Sequence, residues 1–119
     1  MKTIDINLES TRYPVYLGRG CLHDQTLWDL HLDQGKVLVV SNETVAPLYL
    51  PHLTGALGGR DVEVHILPDG EQHKTLDTWS SILDKLVGMQ ARRDATLIAL
   101  GGGVVGDITG YAAASYMRG

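Results

Sequence analysis

Apolar and polar residues alternate near the start of the chain. The alternation runs over residues 4–8 and again over residues 13–17, with the polar residues 9–12 between the two stretches. A period of two places every second side chain on the same face of an extended strand. The pattern therefore predicts two half-buried strands joined by a short polar connection, as in an antiparallel hairpin. Part of the mixed segment 21–32 is interpreted as a short helix.

Two later stretches, residues 36–41 and 95–100, are apolar with almost no alternation. A strand of this kind is buried on both faces, as in the interior of a parallel sheet. Residues 62–67 predict a further strand, which the sequence Pro-Asp-Gly at residues 68–70 ends.

Helices are predicted between and after these strands. Asn42 can cap a helix over residues 43–57, and Pro47 is tolerated because it lies in the first turn. The next helix begins at residue 75 or 77 and ends at residue 88, with apolar residues every three or four positions along one face. A last helix is predicted from residue 104 to about residue 117.

Strands and helices thus alternate after the hairpin. This order predicts an α/β fold, with a Rossmann-like parallel sheet flanked by helices and preceded by a β-hairpin. The chain has 119 residues, which is enough for one domain with its own hydrophobic core and too few for two ordinary domains.

The composition excludes several classes of function. Ten basic and 14 acidic side chains give a net charge of −4, so the chain lacks the basic surface of a nucleic-acid-binding protein. No stretch approaches the roughly 18 apolar residues of a membrane span, and the alternating N-terminus does not resemble a signal peptide. Cys21 is the only cysteine, which rules out an internal disulfide framework and fits a reducing compartment. We therefore expect a cytoplasmic protein that binds neither nucleic acid nor membranes.

The glycine-rich segment at residues 101–107 carries the strongest chemical signal. Gly101, Gly103 and Gly106 satisfy the spacing G-x-G-x-x-G between a predicted strand and a predicted helix. Backbone N–H groups at the start of a helix bind phosphate, and glycine leaves no Cβ in the way. The segment therefore indicates a phosphate or dinucleotide site.

Two features argue against an ordinary Rossmann motif. The motif normally follows the first strand of its unit, whereas here it follows the third. The acidic residue that binds the ribose, expected about 20 residues further on, would fall beyond Gly119. A tight turn before a closely packed helix explains the same glycines. Asp107 likewise either compensates the helix dipole or binds a hydroxyl of a ribose or substrate.

Residues 67–75 form a second candidate loop, at the carboxyl end of a predicted strand. Ligands of open α/β sheets bind at this edge. Two carboxylates, a lysine and an amide in the loop could hold ribose hydroxyls and a pyrophosphate. A solvated loop has the same composition, so the loop alone does not establish a site.

Four segments taken together resemble the pattern of 3-dehydroquinate synthases. They match in order and at family-like spacing, and they cover essentially the whole chain. The segments are residues 41–49, 67–74, 100–107 and 110–119.

The resemblance implies a lyase of the shikimate pathway, which leads through chorismate to the aromatic amino acids. Such enzymes convert 3-deoxy-D-arabino-heptulosonate 7-phosphate, a sugar-acid phosphate, into 3-dehydroquinate and release phosphate. NAD oxidises one substrate hydroxyl transiently and is regenerated, while a zinc or cobalt ion binds substrate oxygens. The resemblance also implies a homodimer.

The same resemblance assigns roles to individual residues. Asn42 and Thr44 correspond to contacts with the adenosine end of NAD, and Asp107 corresponds to a residue near the nicotinamide-side ribose. Glu71 and Lys74 are the expected direct contacts of the first NAD loop. The implied NAD-binding residues are Asn42, Thr44, Asp69, Gly70, Glu71, Gln72, His73, Lys74, Gly102, Gly103, Val104, Val105, Gly106 and Asp107. No catalytic residue is assigned within this chain.

Arg118 corresponds to an arginine that binds the substrate phosphate in the neighbouring subunit. A guanidinium suits this role through its bidentate geometry. The alternative is a solvated charge at the end of a helix. For His73, which lies inside the first NAD loop, a tolerated loop residue is the simpler interpretation.

Members of the family are much longer than this chain, and a glutamate and two histidines of a helical C-terminal domain hold their metal. The five histidines here show no paired spacing such as H-x-x-x-H, so no metal ligand is assigned. We therefore expect residues 1–119 to be a truncated N-terminal dinucleotide-binding domain without the metal-binding domain. Such a chain is expected to be inactive alone, because a catalytic metal needs three protein ligands. Its last helix is also expected to expose a face that favours self-association.

Three alternatives remain open at this point. A sister sugar-phosphate cyclase shares the glycine loop and the NAD chemistry. A metal-dependent polyol or alcohol dehydrogenase has a similar Gly-Gly-Gly-x-x-x-Asp turn, but it is not expected to carry both the 68–74 loop and the 117–119 ending. A stand-alone nucleotide-binding module binds its ligand without catalysis.

Overall fold

The computed structural model describes residues 1–32 and 34–118 of the chain. Strands β1 (Lys2–Asn7) and β2 (Arg12–Leu17) pair antiparallel, which confirms the predicted hairpin. A short 3₁₀ turn and helix α1 (Gln25–His31) follow. The segment interpreted as partly helical is therefore helical over most of its length.

The predicted half-burial of the hairpin is confirmed only in part, at Ile6 and Val15. On the apolar face, Ile4, Tyr13 and Leu17 are 38%, 50% and 48% exposed. The opposite face packs towards α1, where the Tyr16 hydroxyl is hydrogen-bonded to Nε2 of His31 at 2.7 Å. Alternation identified the strands correctly, but it did not determine which face meets the rest of the domain.

The parallel sheet contains three strands in the order β4-β3-β5. They are β3 (Val37–Asn42), β4 (Val62–Leu67) and β5 (Thr96–Leu100). Every residue of the central strand β3 is buried, as its uninterrupted apolar sequence predicts. The chain leaves β3 towards β4 and then returns to the other side of β3, so the strand order reverses between β3 and β5. Ligand crevices in α/β sheets form at such a reversal, outside the carboxyl ends of the strands.

Helices cover both faces of this sheet. They are α2 (Ala46–Ala56), α3 (Leu76–Gly88) and α4 (Gly103–Ser115). Leu38 and Val40 of β3 pack in one core with residues of α3 and α4, whereas Val37 and Val39 pack in a second core with Leu53 of α2. The two-residue period of a strand places these pairs on opposite faces, so the predicted α/β class is confirmed.

Two helix boundaries differ from the sequence prediction. Helix α2 begins at Ala46 rather than residue 43. Pro47 has no N–H that could donate to the Glu43 carbonyl, and the Asn42 side chain accepts hydrogen bonds from the N–H groups of Thr44 and Val45 in the turn before the helix. Helix α4 ends at Ser115 rather than near residue 117. A 3₁₀ turn follows, in which Met117 has φ of 48°. The α-helix ends because Tyr116 is extended, with φ of −82° and ψ of 125°.

None of the helices within the described residues is long and apolar enough to cross a membrane.

Candidate functional site

Three loops leave the carboxyl edge of the sheet at the reversal of strand order. One follows β3 at residues 42–45, one follows β4 at residues 68–75, and the glycine turn follows β5 at residues 101–103. Because the three strands are parallel, all of these loops lie at the same edge. The structure therefore brings together the segments that the sequence singled out.

The glycine turn places the start of α4 at this edge. Gly102 is the residue before the helix and provides no side-chain cap, and the N–H groups of a first helical turn have no partners within the helix. The Gly106 N–H donates to the Gly102 carbonyl oxygen at 3.0 Å, which closes the first turn. The turn thus presents backbone N–H groups at the positive end of a helix dipole, an arrangement that suits an anion.

The glycines of this turn have different roles. A Cβ on Gly101 would lie 2.9 Å from Cγ2 of Val105, a buried core residue, so Gly101 is required for packing. A Cβ on Gly102, Gly103 or Gly106 would meet nothing within 4 Å. Close packing therefore does not explain these three glycines, and the open space beside them has room for a ligand.

The valines of this segment contribute differently from the glycines. Val105 is 2% exposed and belongs to the core beneath α3 and α4, and the half-buried Val104 packs against the same core. Their side chains therefore hold the helix in place. Only their backbone groups face the position where a phosphate would bind.

The loop after β3 is tied to the loop after β4 by Asn42, Glu43, Thr44 and Asp69, which we call the β3–β4 clasp. Asn42 Nδ2 donates to Asp69 Oδ1 at 3.3 Å, and Thr44 Oγ1 donates to Asp69 Oδ2 at 2.7 Å. The Asp69 N–H in turn donates to Glu43 Oε1 at 3.3 Å. Both oxygens of the Asp69 carboxylate thus accept from neutral donors. We call the space at this edge of the sheet, between the clasp and the glycine turn, the crevice.

An ion pair ties the loop after β4 to α4. Nζ of Lys74 lies 2.9 Å from Oδ2 of Asp107 and 3.8 Å from Oε1 of Glu71. The hydrogen bond to Asp107, followed by the charges of the two carboxylates, raises the pKa of Lys74. Lys74, Trp79, Asp107 and Tyr111 help to line a shallow cavity of about 260 Å³ beside this pair. The pair is exposed, so solvent screens its contribution to stability.

The remaining residues of the 69–74 segment shape the loop. Gly70 has φ of 125°, and a Cβ there would collide with the Gln72 side-chain amide. Residues 71–73 form a 3₁₀ turn, in which Gln72 is exposed and His73 is half-buried. The structure shows a backbone reason for Gly70, while Gln72 and His73 lie in the loop without forming part of the clasp.

Two residues of the candidate site, Ser41 and Glu43, were not identified from the sequence. Ser41 is fully buried, and its hydroxyl donates to the carbonyl oxygen of Leu100 at 2.7 Å, immediately before the glycine turn. A hydroxyl at the end of an otherwise apolar strand is the signal that could have identified it, since buried polar groups need partners. Glu43 also belongs to the clasp, but nothing in the local sequence distinguishes it from a solvated carboxylate.

Two other expectations concern the metal and Arg118. Among the described residues, no group of three or more His, Cys, Asp or Glu side chains could hold a metal ion. The backbone of Arg118 belongs to the last 3₁₀ turn, whereas its side chain lies outside the described part of the structure. Its predicted contact with a substrate phosphate stays a prediction.

A family model and two relatives that match this chain all carry the name 3-dehydroquinate synthase. Residues 64–119 match the family described as 3-dehydroquinate synthase N-terminal. Over 119 residues the chain is 50% identical to a 3-dehydroquinate synthase of Methylococcus capsulatus, covering all of this chain and 33% of that protein. A 3-dehydroquinate synthase of Coxiella burnetii is 50% identical over 121 residues, covering all of this chain and 34% of that protein. The chain thus spans about a third of the length of these relatives.

Solved structures share the fold. A 2-deoxy-scyllo-inosose synthase complexed with carbaglucose-6-phosphate, NAD+ and Co2+ matches with a TM-score of 0.87 and 21% identity, covering 99% of this chain and 32% of that one. A 2-epi-5-epi-valiolone synthase from Streptomyces hygroscopicus with NAD+ and Zn2+ bound matches with a TM-score of 0.74 and 34% identity, covering 95% of this chain and 32% of that one. The fold shared with these proteins agrees with the glycine turn and the loops around it. The chain is therefore similar over its whole length to 3-dehydroquinate synthases, and its residues 64–119 match the N-terminal domain of that family.

Proposed function

We propose that this chain is the NAD-binding part of an enzyme that converts 3-deoxy-D-arabino-heptulosonate 7-phosphate into 3-dehydroquinate and phosphate. The observation that carries the proposal is the uncapped start of α4, with open space beside Gly102, Gly103 and Gly106. It lies at the one sheet edge where the β3–β4 clasp and Lys74 also lie.

The donors and acceptors of the crevice fit a dinucleotide. The backbone N–H groups of the first turn of α4 and the Lys74 ammonium suit a pyrophosphate. The carboxylates of Glu71 and Asp107 and the polar groups of Asn42 and Thr44 suit ribose hydroxyls. When bound, NAD supplies a reversible hydride acceptor. The residues of this chain hold and orient that cofactor, and we assign none of them a bond-breaking role.

The other components of the activity are proposed to involve groups beyond this site. Zinc or cobalt is proposed to bind to ligands outside this chain, so the chain alone is expected not to release phosphate from the substrate. Arg118 is proposed to bind the substrate phosphate of a partner subunit in a homodimer. The setting is proposed to be the cytoplasm, with a sugar-acid phosphate as the small-molecule partner and neither nucleic acid nor a membrane involved.

A sister sugar-phosphate cyclase is the second candidate, because the solved structures with this fold are enzymes of that kind. Identity distinguishes the two candidates. The chain is 50% identical to 3-dehydroquinate synthases but 21% and 34% identical to the two solved cyclases. We therefore place the heptulosonate phosphate first among the possible substrates.

The proposal is tested by titrating the chain with NAD in a calorimeter, using wild type, Gly103→Ala and Gly110→Ala. Gly103 and Gly110 both lie in α4, and a Cβ at either meets nothing within 4 Å, so both variants are expected to fold. We expect Gly103→Ala to weaken NAD binding about tenfold, because its methyl group obstructs the approach of a phosphate to the backbone. Gly110→Ala, further along the helix, should bind like wild type. Absence of NAD binding by the wild-type chain would overturn the proposal.

A further inference from the structure

Two histidines that the proposed function does not use lie against each other on the surface. His23 ends the short 3₁₀ turn Cys21–His23, and His52 lies in α2. Their rings are tilted by 31°, with centroids 4.9 Å apart, and both side chains are exposed. The spacing of histidines along the sequence could not reveal this pair, because the fold brings together two residues that are far apart in the chain.

The core beneath the pair fixes this arrangement. Leu22 and Leu53, the chain neighbours of the two histidines, pack in the same core. The Leu22 carbonyl oxygen also accepts from Nε1 of Trp28 at 2.7 Å. The backbone positions from which the two imidazoles extend are thus held by packing, so a ligand that binds both rings pays little additional ordering cost.

The ring nitrogens of the pair are available to a ligand. None of the side-chain hydrogen bonds formed within residues 1–32 and 34–118 involves His23 or His52, whereas His31 and His65 each bond to another side chain. The carboxylate of Asp24, next to His23 in the sequence, is engaged in capping α1. The pair therefore offers two imidazoles, which are the commonest transition-metal ligands in proteins.

The separation of the rings matches that of two imidazoles bound to one ion. With metal–nitrogen distances of about 2.1 Å and a tetrahedral angle, two such rings have centroids about 5 Å apart, close to the observed 4.9 Å. Imidazole suits zinc, copper and nickel, whereas magnesium prefers oxygen ligands. Within the described residues, no group of three or more His, Cys, Asp or Glu side chains could hold a metal ion, so water is expected at the remaining coordination positions.

We propose that His23 and His52 form a binding site for one divalent transition-metal ion, with both imidazoles as ligands. The ion links the turn before α1 to α2, and so fastens the segment that follows the hairpin to a helix of the parallel sheet. The inference goes beyond the proposed function, which assigns no metal ligand to this chain, and it does not depend on NAD binding.

Two simpler explanations of the pair predict different results. If the rings only packed against each other, replacing either one would change the midpoint of thermal unfolding equally with zinc and with a chelator. If each histidine bound metal independently, a single replacement would remove half of the bound zinc and leave the affinity unchanged. A shared site predicts that one replacement abolishes tight binding and that the second has no further effect.

The experiment titrates zinc into the untagged chain by calorimetry, comparing wild type, His23→Gln, His52→Gln, the double variant and His31→Gln. His31 is also exposed but already bonds to Tyr16, so its variant is the matched control and should bind like wild type. We expect one zinc ion per wild-type chain. Both single variants should bind about tenfold more weakly or worse, since even residues behind a metal ligand change the affinity by that factor. Magnesium should not compete.

Thermal unfolding with zinc and with a chelator provides the second readout. Zinc should raise the midpoint of wild type and His31→Gln, because an ion that prefers the folded chain stabilises it, and it should leave both single variants unchanged. The inference would be overturned if wild type bound no zinc, if a single variant lost only half of the bound zinc, or if zinc raised the midpoint of a single variant as much as that of wild type. NAD titration of His52→Gln should match wild type, so failure of the metal site leaves the proposed function standing.

Discussion

The glycine turn and the β3–β4 clasp shape the same crevice by different physical means. At the glycine turn, the groups offered to a ligand belong to the backbone of α4, and the helix holds them in place. At the clasp, they belong to side chains that hold one another through hydrogen bonds across two loops. Backbone N–H groups bind phosphates of many ligands alike, whereas fixed side chains distinguish one sugar from another. For the proposed NAD site, the contrast predicts that affinity resides mainly in the turn and selectivity mainly in the clasp.

Among the variants that test this contrast, Gly101→Ala is expected to lower the stability of the fold most. The added methyl group would lie 2.9 Å from the Val105 side chain in the core, and overpacking of this kind costs about 1–3 kcal/mol of unfolding free energy. Urea unfolding followed by circular dichroism measures the loss. Gly102→Ala is the control, since its Cβ meets nothing within 4 Å and its stability should stay near that of wild type. Equal stability of Gly101→Ala and Gly102→Ala would contradict the packing role of Gly101.

Asn42→Ala is expected to have the next largest effect, this time at the clasp. The Asn42 side chain accepts from two N–H groups at 3.0 and 2.7 Å and is nearly fully buried, and leaving a buried N–H group without a partner costs about 1–3 kcal/mol. The midpoint of thermal unfolding should fall accordingly. Asn7→Ala removes an exposed hydrogen bond to Arg12 in the hairpin and should change the midpoint little. A similar midpoint for the two variants would show that the clasp is not held by Asn42.

Loss of the exposed ion pair that joins the glycine turn to the loop after β4 is expected to have the smallest effect on stability. The pKa of Lys74 is raised in the folded chain, so the stability from its pairing is present below the pKa of an unfolded lysine and is lost as pH rises through the elevated folded value. Asp107→Asn should therefore be slightly less stable than wild type at neutral pH. The difference should vanish in strongly alkaline solution.

Chemical unfolding at several pH values and two salt concentrations measures this difference. High salt should also shrink it, because solvent ions screen exposed charges. A large difference that persists in high salt and at alkaline pH would mean that Asp107 supports the fold by another contact. Urea is the suitable denaturant, since guanidinium is itself a salt.

Much of the fold could be predicted from local patterns. The prediction of β3 at residues 36–41 differs by one residue at each end from the observed Val37–Asn42, because a strand buried on both faces must be apolar throughout. The start of α2 was predicted three residues too early, because Pro47 has no N–H to donate to the Glu43 carbonyl. Asn42 still accepts from the N–H groups of Thr44 and Val45, as its predicted capping role requires. The exposure of Ile4, Tyr13 and Leu17 in the hairpin was not predicted, since alternation does not say which face is covered.

The sequence by itself determined the order of the elements, the glycine spacing and the residues that reach one edge of the sheet. Only the tertiary structure decided which of those residues meet. Asp69 binds Asn42 and Thr44 across 27 and 25 positions of the chain, and Lys74 binds Asp107 across 33 positions. These contacts depend on parallel pairing of β4 and β5 with β3, which the burial of β3 on both faces favours. The clasp and the ion pair are therefore properties of the folded chain.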